Sequence, residues 1–358
     1  MNRLMICIAL GTFVGAVLAF TASPAGAAEA AMGCAPEGEL SFICGPKRPE
    51  DLVVLPGERW LIASGFATGG GLHLIDTHNK TWQRWIAASG AVDQHFPGCT
   101  MAPAPDRFLA HGLALVNGSK GRARLYVVAH GEREAVEVFD VRTDGSQPTV
   151  TWRGCIRAPD KVEFNSLAVA ADGAVLATVL ALPGMSFSAG FEGKATGAVY
   201  EWRPGDVGFR KIDGTSLPTN NGIELSPDGG IVYVAASAAK TITAFSRGMR
   251  WRKIWTVALP NMLPDNLRWG PDGQLYTAGM IDDEPTCGGP IKVVDGKVDL
   301  VTCPRGYGVA AIDPMTRVVT RFQGSTVFGT GAATALPVGG KLWISSFLQD
   351  RVAYRPWP

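Results

Sequence analysis

Four oxygen-bearing side chains stand at nearly constant distances ahead of four glycines. Glu50 precedes Gly57 by seven residues, while Asn165, Asn221 and Asp265 precede Gly173, Gly229 and Gly273 by eight each. Carboxylate and amide oxygens are hard donors, and carboxylates gathered in one place repel unless a cation lies between them. With no thiolate at these positions, the donor set points to calcium. Asn266, next to Asp265, adds a fifth oxygen, whereas a sixth segment has Ala332 at the matching offset and offers no ligand. A further segment places His111 where such a residue would stand, and its partner strand ends in His130. Centring the hairpin on residues 117–122 makes these two histidines cross-strand neighbours. Adjacent imidazoles suit general-base catalysis, because one can take a proton from water while the other orients it and shares the developing charge. His73, His78 and His95 have no such pairing and read as surface or loop residues.

These residues converge only if equivalent strands hold them at equal heights, and an internal repeat supplies such strands. A glycine-containing turn feeding a short apolar strand recurs six times, marked by Gly57, Gly121, Gly173, Gly229, Gly273 and Gly340 at intervals of 44 to 67 residues. Asp-Gly and Gly-Gly supply the positive φ that tight hairpins need, and each interval has room for about four short strands. Helical periodicity is scarce. The pattern predicts an all-β chain folded as a six-bladed β-propeller with four-stranded antiparallel blades, an architecture whose radial repetition leaves only short sheet edges. The innermost strands of such a ring bring Glu50, Asn165, Asn221 and Asp265 to the axis. The stretches 184–197 and 287–308 interrupt the repeat and are expected as loops over one face. There Phe187, Phe191, Tyr307 and Phe328 could line an apolar mouth.

Composition narrows the class. The 358 residues carry 33 Lys and Arg against 32 Asp and Glu, a formal net charge of +1, and 46% hydrophobic residues. That balance argues against a nucleic-acid partner and against disorder. Arg3, the apolar run from Leu4 to Phe20 and the small residues after it read as a secretory signal over 1–30, cut after Ala27 or Ala30. The remaining 31–358 then form a single propeller domain, secreted or periplasmic, with no stable membrane span. Cys34, Cys44, Cys99, Cys155, Cys287 and Cys303 are an even set suited to export, and pairing of neighbours in sequence gives three disulfides. Their spacing does not suit zinc, and nucleophile-elbow, zinc-protease and Walker motifs do not occur.

Six short segments, taken in order, resemble the paraoxonase/arylesterase and gluconolactonase group of calcium-dependent six-bladed propellers, with strictosidine synthase a more distant relative. They are Pro49-Glu50-Asp51-Leu52, His111-Gly112-Leu113, Val127-Val128-Ala129-His130, Phe164-Asn165-Ser166-Leu167, Asn221-Gly222-Ile223 with its Ser226-Pro227-Asp228-Gly229 turn, and Asp265-Asn266-Leu267. The resemblance implies a catalytic Ca²⁺ bound by Glu50, Asn165, Asn221, Asp265 and Asn266. It also implies that His111 and His130 match a paraoxonase histidine dyad, which gluconolactonases generally lack.

The chain departs from the paraoxonase pattern in several places. Ser166 stands where an acidic ligand of a second, structural calcium is expected, although Asp51 remains, and Met280 stands where a third active-site histidine would be. The terminal cysteine pair and the membrane-binding N-terminal helix of paraoxonases have no counterpart. The expected activity is hydrolysis of lactone or aryl ester substrates: Ca²⁺ polarises the carbonyl and His111, supported by His130, activates water. Asp265 is the rival base. The competing expectation is a nonhydrolytic or ligand-binding propeller with a structural calcium.

Overall fold

The computed structural model describes residues 34–324 and 327–357. The leader expected over 1–30 lies outside them, and no helix among the described residues is long and apolar enough to cross a membrane. Six antiparallel sheets follow one another along the chain. Blade 1 consists of Pro49–Val54, Trp60–Gly65, Gly71–Asp76 and Thr81–Trp85. Blade 2 consists of Phe108–Asn117, Arg122–Gly131, Ala135–Arg142 and Thr149–Arg157, with Ala88–Ser89 added in parallel at its outer edge. Blades 3 to 5 start from Leu167–Val169, Asn220–Leu225 and Met262–Trp269, and each has four strands in sequence order. Blade 6 takes Ala332–Val338, Lys341–Ser346 and Arg351–Pro356 from the end of the chain. Its outer strand, Ser41–Cys44, comes from the beginning, with Ser41 opposite Tyr354. The expected six-bladed propeller with four-stranded blades is therefore observed, and blade 2 carries one short extra strand.

The repeated turns behave as their composition requires. Gly173, Gly229 and Gly273 follow Asp in three inner hairpins with φ of 81°, 72° and 75°, a region that glycine enters without a Cβ penalty. The second and third strands of the blades are buried on both faces because neighbouring blades cover them on both sides, whereas outer strands such as Thr81–Trp85 and Arg252–Ala258 are largely exposed. Instead of one central core there are six, each shared by adjacent blades. Val127 and Phe139 of blade 2 pack with Ile62 and Leu74 of blade 1, and Trp343 of blade 6 packs with Leu61 and Ile75 of blade 1 to close the circle. Burying each such side chain contributes about 1.5–3 kcal/mol. The three disulfides join Cys34 to Cys44, Cys99 to Cys155 and Cys287 to Cys303, as neighbour pairing predicts.

One irregularity recurs around the ring. The innermost strand bulges in blades 1, 2, 4, 5 and 6, where Glu50-Asp51, His111-Gly112, Asn221-Gly222, Asp265-Asn266 and Ala333-Thr334 interrupt the pairing. In blade 3, Asn165-Ser166 stand just ahead of the strand. A bulge sets two residues against one on its partner strand and re-aims their side chains. The position matching Glu50 in blade 6 is therefore Ala333 rather than Ala332, and Thr334 follows it.

Candidate functional site

Four of the bulges, with the segment just ahead of the blade 3 strand, bring the sequence-predicted residues together at one end of the central channel. Glu50, His111, Asn165, Asn221 and Asp265 all line a cavity of about 180 Å³, and Asn266 lies beneath it, bonded through Nδ2 to Glu50 Oε1 at 2.6 Å. Close approach of the inner strands requires glycine at two of the bulges. A Cβ on Gly112 would stand 2.6 Å from the Asn165 carbonyl oxygen, and one on Gly222 would stand 2.3 Å from that of Asp265.

Each of the five residues expected to bind a cation holds one buried oxygen without a hydrogen-bond partner: Glu50 Oε2, Asn165 Oδ1, Asn221 Oδ1, Asp265 Oδ1 and Asn266 Oδ1. Buried polar atoms are nearly always paired. Five orphaned oxygens from blades 1, 3, 4 and 5, without a single donor to satisfy them, fit a hard cation. The electrostatics agree. Burial, followed by repulsion from Asp51 and Asp265, drives the Glu50 carboxyl well above its ordinary range. Burial and then Asp51 do the same to Asp265, against a hydrogen bond from Asn221. A positive charge at the orphaned oxygens reverses both effects.

Beneath this cluster the channel is closed by a group that sequence reasoning missed. Arg268 sets its Nη2 on Asp51 Oδ2, while its Nε donates to the Leu52 carbonyl at 2.9 Å and Nη2 to that of Leu113 at 2.8 Å. Asp51 also accepts from Leu113 N at 2.7 Å and from the Thr334 hydroxyl at 2.9 Å. Burial raises the Asp51 carboxyl above its ordinary value, with Arg268 opposing. The signal was legible in principle, since Arg268 is the only cationic residue of the strand Met262–Trp269 and lies two residues after Asn266, on the same face. Thr334 carried no signal until the bulge fixed its register.

The two histidines meet, although not by the expected pairing. The cross-strand partner of His130 is Leu109, and the bulge swings His111 back so that its Nδ1 lies 3.0 Å from His130 Nε2. His111 Nε2 faces the oxygen cluster, 3.4 Å from Asn165 Nδ2 and 3.9 Å from Glu50 Oε2. Burial, then the neighbouring His130, lowers the His111 pKa well below that of free imidazole, so the ring is neutral at pH 7. Phe66 lies over His111 with ring centroids 4.2 Å apart.

Apolar side chains form the wall above the oxygens: Phe66, Leu180, Leu263, Met280 and Phe347, with Phe187, Phe191 and Leu300 from two loops. The expected excursions at 184–197 and 287–308 do cross this face. A short helix, Phe187–Phe191, presents both its phenylalanines to the cavity, and Val298 N donates to Ser188 Oγ at 3.1 Å, tying the loops together. Tyr307 and Phe328 are not at the mouth. They are 3% and 0% exposed, packed between blades 5 and 6. Met280 reaches the cavity as anticipated. His73 is also misplaced by sequence: it is buried in blade 1, edge-on to Trp82 at 5.3 Å, while His78 and His95 are exposed.

A six-bladed propeller with a polar cluster at one mouth of its channel defines the class. The chain belongs to the SMP-30/gluconolactonase/LRE-like family, whose model matches residues 66–304. Similar solved structures include a gluconolactonase from Xanthomonas campestris, 18% identical over 89% of both chains, with a TM-score of 0.55. A luciferin-regenerating enzyme is 13% identical over 88% of this chain and 93% of its own, with a TM-score of 0.54. A calcium-binding regucalcin from Agrobacterium tumefaciens is 11% identical over 87% and 90%, with a TM-score of 0.52. At these identities the similarity carries the fold alone. No curated protein sequence matches the chain. The gluconolactonase part of the resemblance is thereby established, and its paraoxonase and strictosidine synthase parts rest on the short motifs alone.

Proposed function

We propose that the protein is an exported, calcium-dependent hydrolase of apolar lactones or aryl esters. The observation that carries this reading is the meeting of five orphaned oxygens with the neutral imidazole of His111 on the floor of an apolar cavity. Calcium held by Glu50, Asn165, Asn221, Asp265 and Asn266 would supply the positive charge that polarises a carbonyl and stabilises an oxyanion.

The chain's own residues do the rest. His111 Nε2 takes a proton from water as its oxygen adds to the carbonyl carbon, and returns that proton to the leaving oxygen. Its other nitrogen is held by His130. Phe66, Phe187, Phe191 and Phe347 exclude bulk water and bind an alkyl or aromatic substituent. They offer no partners to the many hydroxyls of a sugar lactone, which favours an apolar ring over a polyhydroxylated one. Asp265, with its oxygen in the cation set, is the weaker candidate for the base.

The test is hydrolysis of aryl esters and of γ- and δ-lactones of graded chain length by the exported form, before and after chelation and on calcium add-back. Activity lost to chelation and regained with calcium supports the reading. A folded, calcium-loaded protein inert across the panel would move the assignment to a ligand-binding propeller.

A further inference from the structure

The histidine pair does not end at His130. The Nδ1 of His130 lies 2.6 Å from Glu134 Oε2, on the connection between the second and third strands of blade 2. Four side chains thus form one line: Glu134, His130, His111 and Asn165, with contacts of 2.6, 3.0 and 3.4 Å.

The direction of this line follows from its two ends. A carboxylate oxygen accepts hydrogen bonds, so in its neutral form His130 carries its one proton on Nδ1, toward Glu134, and leaves Nε2 as an acceptor. His130 Nε2 then receives the Nδ1 proton of His111, which leaves His111 Nε2 as the acceptor nitrogen of that ring. At the far end Asn165 presents its amide nitrogen, which only donates, to that same Nε2, consistent with its other atom, Oδ1, being one of the orphaned oxygens. Both ends therefore select the same tautomer at both rings. Glu134 is also held firmly for a residue at the rim. Its backbone carbonyl accepts from Ala158 N at 3.1 Å, Glu132 before it accepts from Ala104 N at 2.9 Å, and Arg133 bonds Glu137 at 2.6 Å.

We infer that Glu134 is a positioning residue that fixes the tautomers of His130 and His111 and so keeps the lone pair of His111 Nε2 on the oxygen cluster. The tautomer assignment stands on geometry alone, and its consequence for turnover rests on the hydrolase reading. A carboxylate that orients a histidine pair in this way is worth far more to turnover than to substrate binding.

The test pairs kinetics with spectroscopy on the calcium-loaded, full mature chain. Glu134→Gln and Glu134→Ala should each lower kcat at least about tenfold while leaving KM and the calcium titration within about twofold, and Glu134→Asp should recover part of the loss. Long-range proton–nitrogen correlation spectra of the imidazoles should place the His130 proton on Nδ1 in the native chain and redistribute it in Glu134→Gln. A His130 proton on Nε2 in the native chain, or an unchanged kcat in Glu134→Ala, would overturn the assignment. If the native chain hydrolyses nothing, the spectra alone decide: the Nδ1 tautomer upholds the positioning role and the Nε2 tautomer refutes it, whatever becomes of the hydrolase reading.

Discussion

Arg268 and Asp51, 217 residues apart in the chain, meet in the middle of the ring, and the guanidinium of one is the only cationic side chain among the described contacts of the other. Both are buried, 6% and 0% exposed. Arg268 compensates the charge of Asp51, which would otherwise stand beside Glu50 and Asp265 as a third uncompensated carboxylate.

Replacing Arg268 by Met should therefore destabilise the protein by about 3–5 kcal/mol, the usual cost of leaving one partner of a buried pair alone. Adding Asp51→Asn should recover part of that loss. Denaturant titration of the single and double variants measures both effects, and additive losses would mean that the two residues do not act as a pair.

Removal of the cation should act on stability in a pH-dependent way. Burial raises the folded-state pKa of Glu50 and Asp265. The favourable contribution of these groups is complete below their unfolded values near 4 and is lost as pH rises toward the folded values. The chelated protein should thus melt at lower temperature at pH 8 than at pH 5. Calcium should raise the melting temperature more at pH 8. Asn221→Ala should weaken the calcium titration and shrink this difference, while equal shifts at both pH values would argue against a cation among the five oxygens.

His111→Gln should cut kcat by roughly 10²-fold or more, the scale of a lost general base. Calcium affinity should change little, because His111 contributes none of the five orphaned oxygens. Steady-state kinetics alongside a calcium titration separate the two. Wild-type turnover in this variant would transfer the base to Asp265.

His73 gives a second pH signature, remote from the channel mouth. Burial holds its pKa down to about 4, so the folded protein keeps the ring neutral, and Lys47 N donates to Nε2 at 3.1 Å. The stability this confers is fully present above the unfolded value of 6.5 and is lost as pH falls toward 4, at up to about 1.4 kcal/mol per pH unit. His73→Gln should flatten that decline in unfolding experiments between pH 6.5 and 4. An unaltered slope would mean another group takes up the proton.

The ring and the oxygen cluster were legible in the sequence because both are periodic. Glycines at turns that need positive φ mark each blade, and a ligand at a fixed distance from a turn must lie at a fixed height. What escaped is what breaks the period. A two-residue bulge shifts register without changing composition. For this reason Ala332 stood in for Ala333 and Thr334, and the two histidines seemed directly opposed when His130 in fact pairs with Leu109. Burial escaped wherever alternation fails. Blades covered on both faces hide His73 as readily as Leu74, and Tyr307 belongs to an inter-blade core although the segment before it crosses the cavity. Arg268 and Glu134 act through partners far along the chain or beyond a strand end, where no spacing rule reaches.

The strand that completes blade 6 sets the order in which the ring can be assembled. Ser41–Cys44 precedes blade 1 in the chain, and its partner Arg351–Pro356 lies beyond blade 5. Blades 1 to 5 can each be assembled from their own consecutive strands, but the final sheet, and with it the circle, waits until segments from both sides of those five blades meet. Until then Phe42 and Leu40 lack the blade 6 neighbours they pack against in the finished ring. Ring closure should accordingly be a single late event, in which the two segments flanking blades 1 to 5 are captured together and the Cys34–Cys44 bridge braces the captured strand.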